Sequence, residues 1–369
     1  MNLIRLLNKL FLLTLIYSLL IFVVSELFLR FVYSPDLVVM RIQANKYNSD
    51  KDNLKGVFLA NKLAFKPHST AYLKNIEYNH TAIHDKFGYR NPCFNHEKKV
   101  EGFLLGDSFV YGVGLLDKEV INCQSNNNTQ LYTIAIPGAS ALEYKKLISI
   151  SYKISNLVKR DLKPKLGIAL YMGNDFESLM KLGNPNFYSQ KEKEREGFVK
   201  PIMEELNKIV SKNTFLKNSY FLSLVKLTLL PYFVNHEGDY VRNGTGDTIY
   251  KVNYNKSYIF QNILNGLMVL KNEANKYNFN LDYLILIPAA IDISNERLKR
   301  DRKLSRFEIY KIDINIKYDL VKKACKELKI KCKDLRYYLT NEDYYERDNH
   351  MKFSGIKKYT PFLYEMNKN

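Results

Sequence analysis

No Cys-x-x-Cys pair occurs in this chain, so zinc-ribbon and thioredoxin-type motifs are not expected. Cysteine is scarce altogether: Cys93, Cys123, Cys325 and Cys332 are the four present. No internal repeat is visible, which argues against solenoids and propellers. Blocks of one charge sign are also missing. Lys and Arg number 56 against 38 Asp and Glu, a net charge of +18, but the two signs are mixed, as in Lys191-Glu192-Lys193-Glu194-Arg195-Glu196. A nucleic-acid site would gather its basic residues into one patch or helix. The charge therefore reads as a generally basic surface, and no nucleic-acid partner is expected. Hydrophobic residues make up 46% and charged residues 25%, values of an ordinary folded chain. A length of 369 residues allows one large α/β domain with appendages, or two small domains.

One apolar run is long enough to cross a bilayer, residues 10–29, interrupted only by Glu26. A hydrocarbon core needs about 20 such residues as helix. Arg5 and Lys9 flank its start, Arg30 follows its end, and no Ala-x-Ala cleavage site comes after it. Residues 1–33 are therefore expected to be an uncleaved membrane anchor, the alternative being a buried helix of a soluble domain. The basic start favours a cytoplasmic N-terminus, although Arg30 adds charge on the other side. That orientation makes a single-pass inner (cytoplasmic) membrane protein whose residues beyond about 35 lie in the periplasm or another extracytoplasmic space. Disulfides persist in such a compartment. Cys325 and Cys332 are spaced to bridge a helix to the next strand, and buried free thiols are an equal alternative.

Residues 34–75 read as a polar stalk and entry segment, and residues 76–369 as the outer domain. Short apolar runs at 102–105, 131–136, 166–171, 281–288 and 330–335 read as buried parallel strands. Helical periodicity lies between some of them, over 141–160, 257–278 and 315–329. Strand–helix alternation of this kind predicts an α/β fold with a doubly wound parallel sheet of about five strands. The stretch 176–255 is too long for a simple crossover and is expected to be an insertion at one sheet edge. Its Lys/Glu-rich part, 188–212, reads as helix, followed by aromatic and apolar residues and a turn region. Such an insertion either shapes a substrate cleft or is a structural elaboration.

Four segments at strand ends carry chemistry. The first apolar run ends on Gly106-Asp107-Ser108, a tight turn able to lift a hydroxyl off the sheet edge. The second ends on Pro137-Gly138, where a glycine lets a backbone N–H approach a ligand. The third ends on Gly173-Asn174, and Asn174 has an amide able to aim at the same point. Near the C-terminus, Asp348 and His350 lie two residues apart. A serine hydroxyl needs a base to become a nucleophile, histidine suits that role, and a carboxylate fixes its tautomer. The oxyanion then needs preorganised donors. The Ser108 N–H, the Gly138 N–H and the Asn174 side chain are candidates. Each residue also has a plainer reading: Ser108 as a turn serine, His350 as a helix-cap histidine, Asp107 and Asp175 as structural hydrogen-bonding groups, and His84 as part of a solvated loop.

Taken together, Ser108, Gly138, Asn174 and His350 resemble, in order, the four blocks of the SGNH (GDSL-type) hydrolase superfamily. The segment Phe87-Gly88-Tyr89-Arg90 is similar to an entry segment found in membrane-anchored bacterial members. The resemblance implies a flavodoxin-like three-layer sandwich and a serine esterase or O-acyl(acetyl)transferase. Its substrate would be an ester of a cell-surface carbohydrate or lipid, handled without cofactor or metal. The implied roles are Ser108 as nucleophile, His350 as base, Asp348 as acid, and Ser108, Gly138 and Asn174 as oxyanion donors. Many members place the acid three residues before the histidine, where this chain has Arg347. Asp348 is therefore the first candidate and Asp343 the second. The alternative is an inactive relative that binds glycan or a partner in surface-polysaccharide assembly.

Overall fold

The computed structural model describes residues 2–33, 57–59, 63–75, 77–124, 130–187, 213, 216, 218–225, 240–242, 248–251, 255–305, 311–346 and 348–365. Most of the stalk, the helix expected over 188–212, much of the insertion, and Arg347 lie outside the described residues. The chain divides into two compact units. One is Met1–Ser49 with Glu196–Asn235; the other is Asp50–Arg195 with His236–Asn369.

In the first unit, helix α1 spans Asn2–Phe31. Its part Lys9–Phe31, 23 residues containing an 18-residue stretch of mean hydropathy 2.4, is long and apolar enough to cross a membrane.

The second unit opens with an antiparallel hairpin, β1 (Thr70–Lys74) on β2 (Asn79–Ile83), in which Thr70 faces Ile83 and Lys74 faces Asn79. The expected boundary between stalk and outer domain, at residue 75, falls within this hairpin. The chain continues through β3 (Val100–Gly106), the one-turn helix α2 (Ser108–Tyr111), β4 (Gln130–Ala135), α3 (Ala141–Ser155), β5 (Arg160–Tyr171) and α4 (Asp175–Gly183). Beyond these come β6 (Tyr240–Arg242), β7 (Thr248–Lys251), α5 (Lys256–Lys276), β8 (Asn280–Ile287), α6 (Ala290–Ile293) and α7 (Asn295–Ser305). The last elements are β9 (Ile312–Asp313), α8 (Ile316–Glu327), β10 (Lys331–Asp334) and α9 (Phe353–Glu365). Strands β6, β7 and β9 make a small antiparallel sheet.

The main sheet has five parallel strands in the order β10-β8-β5-β3-β4. Four of the five are apolar runs because a parallel strand is buried on both faces; the edge strand β10 is itself polar and partly exposed, and only the flanking Ile330 and Leu335 mark it. Phe103 and Leu105 point into one core with Tyr144, Leu147, Phe176, Ile263, Leu267 and Val321 of α3, α4, α5 and α8. Leu104 points the other way, into a core with Phe65, Phe109, Ile356, Tyr359 and Leu363. Three layers result, with the sheet in the middle. The helices obey local rules too: Glu143 accepts from the backbone N and Oγ of Ser140 at 2.9 and 2.6 Å, closing the start of α3.

The strand order has one decisive consequence. β3 leads to β4 on one side, and the chain then returns to lay β5 on the other. The connections leaving the neighbours β3 and β5 thus run in opposite directions, and in open α/β sheets ligands bind outside the carboxyl ends of the strands at such a switch point.

Cys93 and Cys123 form a disulfide, with Cα atoms 5.1 Å apart, tying the segment before β3 to the turns after α2. Cys325 is buried and Cys332 half-buried, both free thiols; no bridge joins them. His84 corrects an expectation. It is buried rather than solvated, stacked on Phe65 with ring centroids 4.0 Å apart and bonded through Nε2 to the Tyr111 hydroxyl at 2.9 Å. Burial pushes its imidazole down to about 4, so it serves as a neutral hydrogen-bonding core residue.

Candidate active site

Ser108 is the first residue of α2, directly past the carboxyl end of β3. The turn is built from its own neighbours. The Asp107 carboxylate accepts the Phe109 N–H at 2.9 Å and caps the helix. Gly106 is required by space: a Cβ there would lie 2.1 Å from a Val110 methyl, so only glycine lets α2 fold back onto the strand. From farther off, Arg90 closes the turn's far side. Its buried guanidinium donates to the Gly112 and Leu115 carbonyls, each at 2.6 Å, and pairs with Asp117 at 2.8 Å. The entry segment read from the sequence thus supports the serine turn.

Gly138 follows β4 with φ +82°, a conformation strained for residues with a Cβ. It is exposed, and nothing lies within 4 Å of where a Cβ would stand. The open space is on the sheet's carboxyl edge, where a ligand could approach the backbone. Asn174 stands at the N-cap of α4, past β5, and is exposed. An N-cap asparagine ordinarily spends its side chain on the helix. Here it makes no capping hydrogen bond, and its amide is left for other use.

His350 lies in the loop between Tyr344 and Met351, which pair as an antiparallel bridge just before α9. Its Nδ1 is hydrogen-bonded to Asp348 Oδ1, and its backbone N donates to the same oxygen at 3.0 Å. The other carboxylate oxygen accepts from Asn75 Nδ2 and the Tyr78 hydroxyl, both at 2.8 Å. Glu77 adds a second clamp, accepting the Glu346 N–H at 2.8 Å and the Asp348 N–H at 2.7 Å. The turn of the β1–β2 hairpin therefore holds the loop through three side chains. Asp343, the second candidate acid, is engaged elsewhere: Lys358 Nζ donates to it at 2.6 Å and the Thr340 N–H at 2.8 Å.

Two contacts connect the serine turn with the histidine loop. The Phe109 ring, next to Ser108, lies 5.1 Å from the imidazole. The Tyr345 hydroxyl donates to the Gly114 carbonyl at 2.7 Å. Among the described residues, the Ser108 hydroxyl itself makes no hydrogen bond to His350. Catalytic hydrogen bonds often close only when substrate binds.

The electrostatics favour a proton-accepting histidine. Burial works against a charged imidazole, but the charge and hydrogen bond of Asp348, with the charge of Asp107, outweigh it and hold the His350 pKa above its ordinary value. Burial raises the Asp348 carboxyl, yet the His350 charge and the bonds to His350 and Tyr78 win, and its pKa is depressed. Asp107, fully enclosed, is pushed up to about 6 by burial. Asp175 beside it is also pushed up by burial and by the Asp107 charge. Its Oδ2 accepts from the Tyr144 hydroxyl at 2.6 Å and the Tyr171 N–H at 3.1 Å. Both aspartates thus act as internal ties between the strand ends and the helices that follow, in keeping with their plainer reading.

Asn75, Glu77, Tyr78 and Tyr345 were not singled out from the sequence. A polar cluster between two alternating runs, 70–74 and 79–83, signals a hairpin, but nothing local says where its turn will dock. Among the described residues no group of His, Cys, Asp and Glu is arranged to hold a metal ion.

No protein-family model matches the chain, and no curated protein matches it. Among solved structures, one that aligns with it is a member of the lipolytic protein G-D-S-L family from Veillonella parvula DSM 2008. The identity is 10% and the TM-score 0.34, with 72% of this chain and 97% of the other covered. A likeness that slight leaves the chemistry to be argued from the residues themselves.

Proposed function

We propose that the chain is a membrane-anchored serine esterase or O-acyltransferase of the SGNH (GDSL) type. Ser108 Oγ attacks the ester carbonyl while His350 Nε2 takes its proton. The resulting imidazolium is stabilised by Asp348 across the ring. The Ser108 N–H, Gly138 N–H and Asn174 amide receive the oxyanion. The proton passes to the departing alcohol, leaving an acyl-serine, which water or a sugar hydroxyl then resolves. An anchor at residues 10–29 would keep the domain at a membrane, where acylated carbohydrates or lipids are within reach.

The observation that carries this reading is the carboxylate of Asp348. One oxygen holds His350 Nδ1 and the other is fixed by Asn75 and Tyr78. A helix-cap histidine has no need of an oriented, doubly supported carboxylate. A base that must present Nε2 does.

A fluorophosphonate probe and a chromogenic acetyl ester test it together. Wild type is expected to be labelled at Ser108 and to turn over the ester. Ser108→Ala should lose labelling and about 10³-fold or more of the activity while its melting temperature holds. A wild type that is neither labelled nor active, yet binds acylated glycan, would replace this reading with that of an inactive binding protein.

A further inference from the structure

Glu26 is the single acidic residue in the apolar run of α1, and it is 5% exposed. An ionisable side chain inside a bilayer is costly unless it is partnered. Its partners are unusual. Ser219 Oγ donates to it at 2.7 Å, the Tyr220 N–H at 3.1 Å and the Phe221 N–H at 2.9 Å. Arg30, one turn along α1, pairs with it at 2.7 Å. Three of the four donors come from the insertion, almost 200 residues later in the chain.

Packing agrees with the hydrogen bonds. Along α1 the covered residues are Phe22, Ser25, Glu26 and Leu29, the spacing of one helix face, while their neighbours are exposed. Against that face lies the helical stretch 220–225 with its preceding residue Ser219. Ser219 and Ser223, four apart, are buried, and small residues at that spacing let two helices approach closely. Phe22 and Phe221 meet edge to face at 5.6 Å. The Arg30 guanidinium lies 5.2 Å over the Tyr220 ring, a pairing suited to the membrane–water boundary. Tyr220, Phe221, Leu222, Leu224 and Val225 remain partly exposed.

We propose that Glu26 pins residues 219–225 of the insertion to the anchor helix at bilayer depth, so that this apolar turn is a second lipid-contacting element. The partner is the hydrocarbon edge of the membrane itself. Glu26 lies five residues before the end of α1, about 7 Å along the axis, the depth at which interfacial helices bury their apolar faces. The pin keeps residues 219–225 beside the anchor and at the membrane surface. This inference rests on α1 being a membrane anchor.

The chain has no tryptophan, so a single one is a clean depth probe. Full-length Leu222→Trp and, as control, Leu12→Trp would be reconstituted in vesicles of brominated phosphatidylcholine. Quenching of both tryptophans is expected. Adding Glu26→Ala should abolish most quenching at 222 and leave it at 12, whereas Glu26→Gln, which keeps an acceptor oxygen, should retain most of it. Quenching at 12 but not at 222 in the otherwise native chain overturns the second contact. Quenching at 222 unchanged by Glu26→Ala overturns the pin. No quenching at 12 removes the anchor itself, and the inference with it.

Discussion

Ser108 and His350 reach the same edge of one sheet from loops held in different ways. The serine turn is supported mainly by near neighbours: the Asp107 cap, the Gly106 contact with Val110, and Arg90 some 20 residues upstream. The histidine loop is supported by Asn75, Glu77 and Tyr78, which lie 270 or more positions away in the chain. A serine at a strand-to-helix turn is positioned by local steric rules. A histidine in a late loop has no such rule and is positioned by whatever packs against it. The site therefore has a rigid corner and a docked corner, and perturbing each should give different signatures.

The largest effect is expected at the docked corner's centre. Asp348→Asn should lower kcat by about 10³–10⁴-fold. The acid limb of kcat/KM should also move. In the proposed mechanism His350 must be neutral, so activity is expected to fall as pH drops through the histidine pKa. That pKa is held above the usual value of about 6.5 by Asp348. Removing the charge shifts the limb to lower pH, and a limb that stays put in a pH–rate profile would contradict the pairing.

At the rigid corner, Arg90→Lys is expected to act on stability first. A lysine cannot reproduce the guanidinium's bonds to two carbonyls and Asp117. A loss of about 3 kcal/mol in urea unfolding is expected. If stability is unchanged while activity collapses, the turn is held by something else.

Tyr78→Phe removes one bond to Asp348 and leaves the ring's packing. About a tenfold fall in kcat is expected, with KM unchanged and stability altered by about 1 kcal/mol. Asn75→Ala should do the same, and the double variant should show non-additive losses because both act through one oxygen. Strict additivity would mean the hairpin does not position the acid.

The smallest effect on turnover is expected from Gly138→Ala. The left-handed φ costs about 1–2 kcal/mol for a residue with a Cβ. Space for the methyl is open in the free protein, so a rise in KM for bulky acyl groups beyond the stability loss would mark that space as substrate territory.

Much of this is legible in the sequence. Four strands of the sheet declare themselves as short apolar runs, since burial on both faces leaves no polar alternation, and the polar edge strand β10 is marked only by Ile330 and Leu335 beside it. Ser108, Gly138 and Asn174 each follow one of those runs, so the parallel sheet brings them to one edge once its order is known. The helices over 141–155, 256–276 and 316–327 follow from periodicity. His84 was misread because its loop sequence looks solvated. Its burial comes from Phe65, Tyr111 and Ser69, none of which its neighbours announce. Glu26 likewise looked like a simple interruption of an apolar run.

By itself the sequence determined which residues end the strands, which segment is apolar enough for a membrane, and which residue types could share a nucleophilic site. These are local matters, set by hydrophobic periodicity, steric demands on glycine and the chemistry of side chains. Tertiary structure decided the strand order that sets the switch point at β3/β5. It also chose Asp348 over Asp343 as the partner of His350, docked the hairpin turn that holds it, and supplied the donors that cover Glu26. Those depend on contacts between residues tens to hundreds of positions apart, whose pairing is set by how buried polar groups find partners when the whole chain packs.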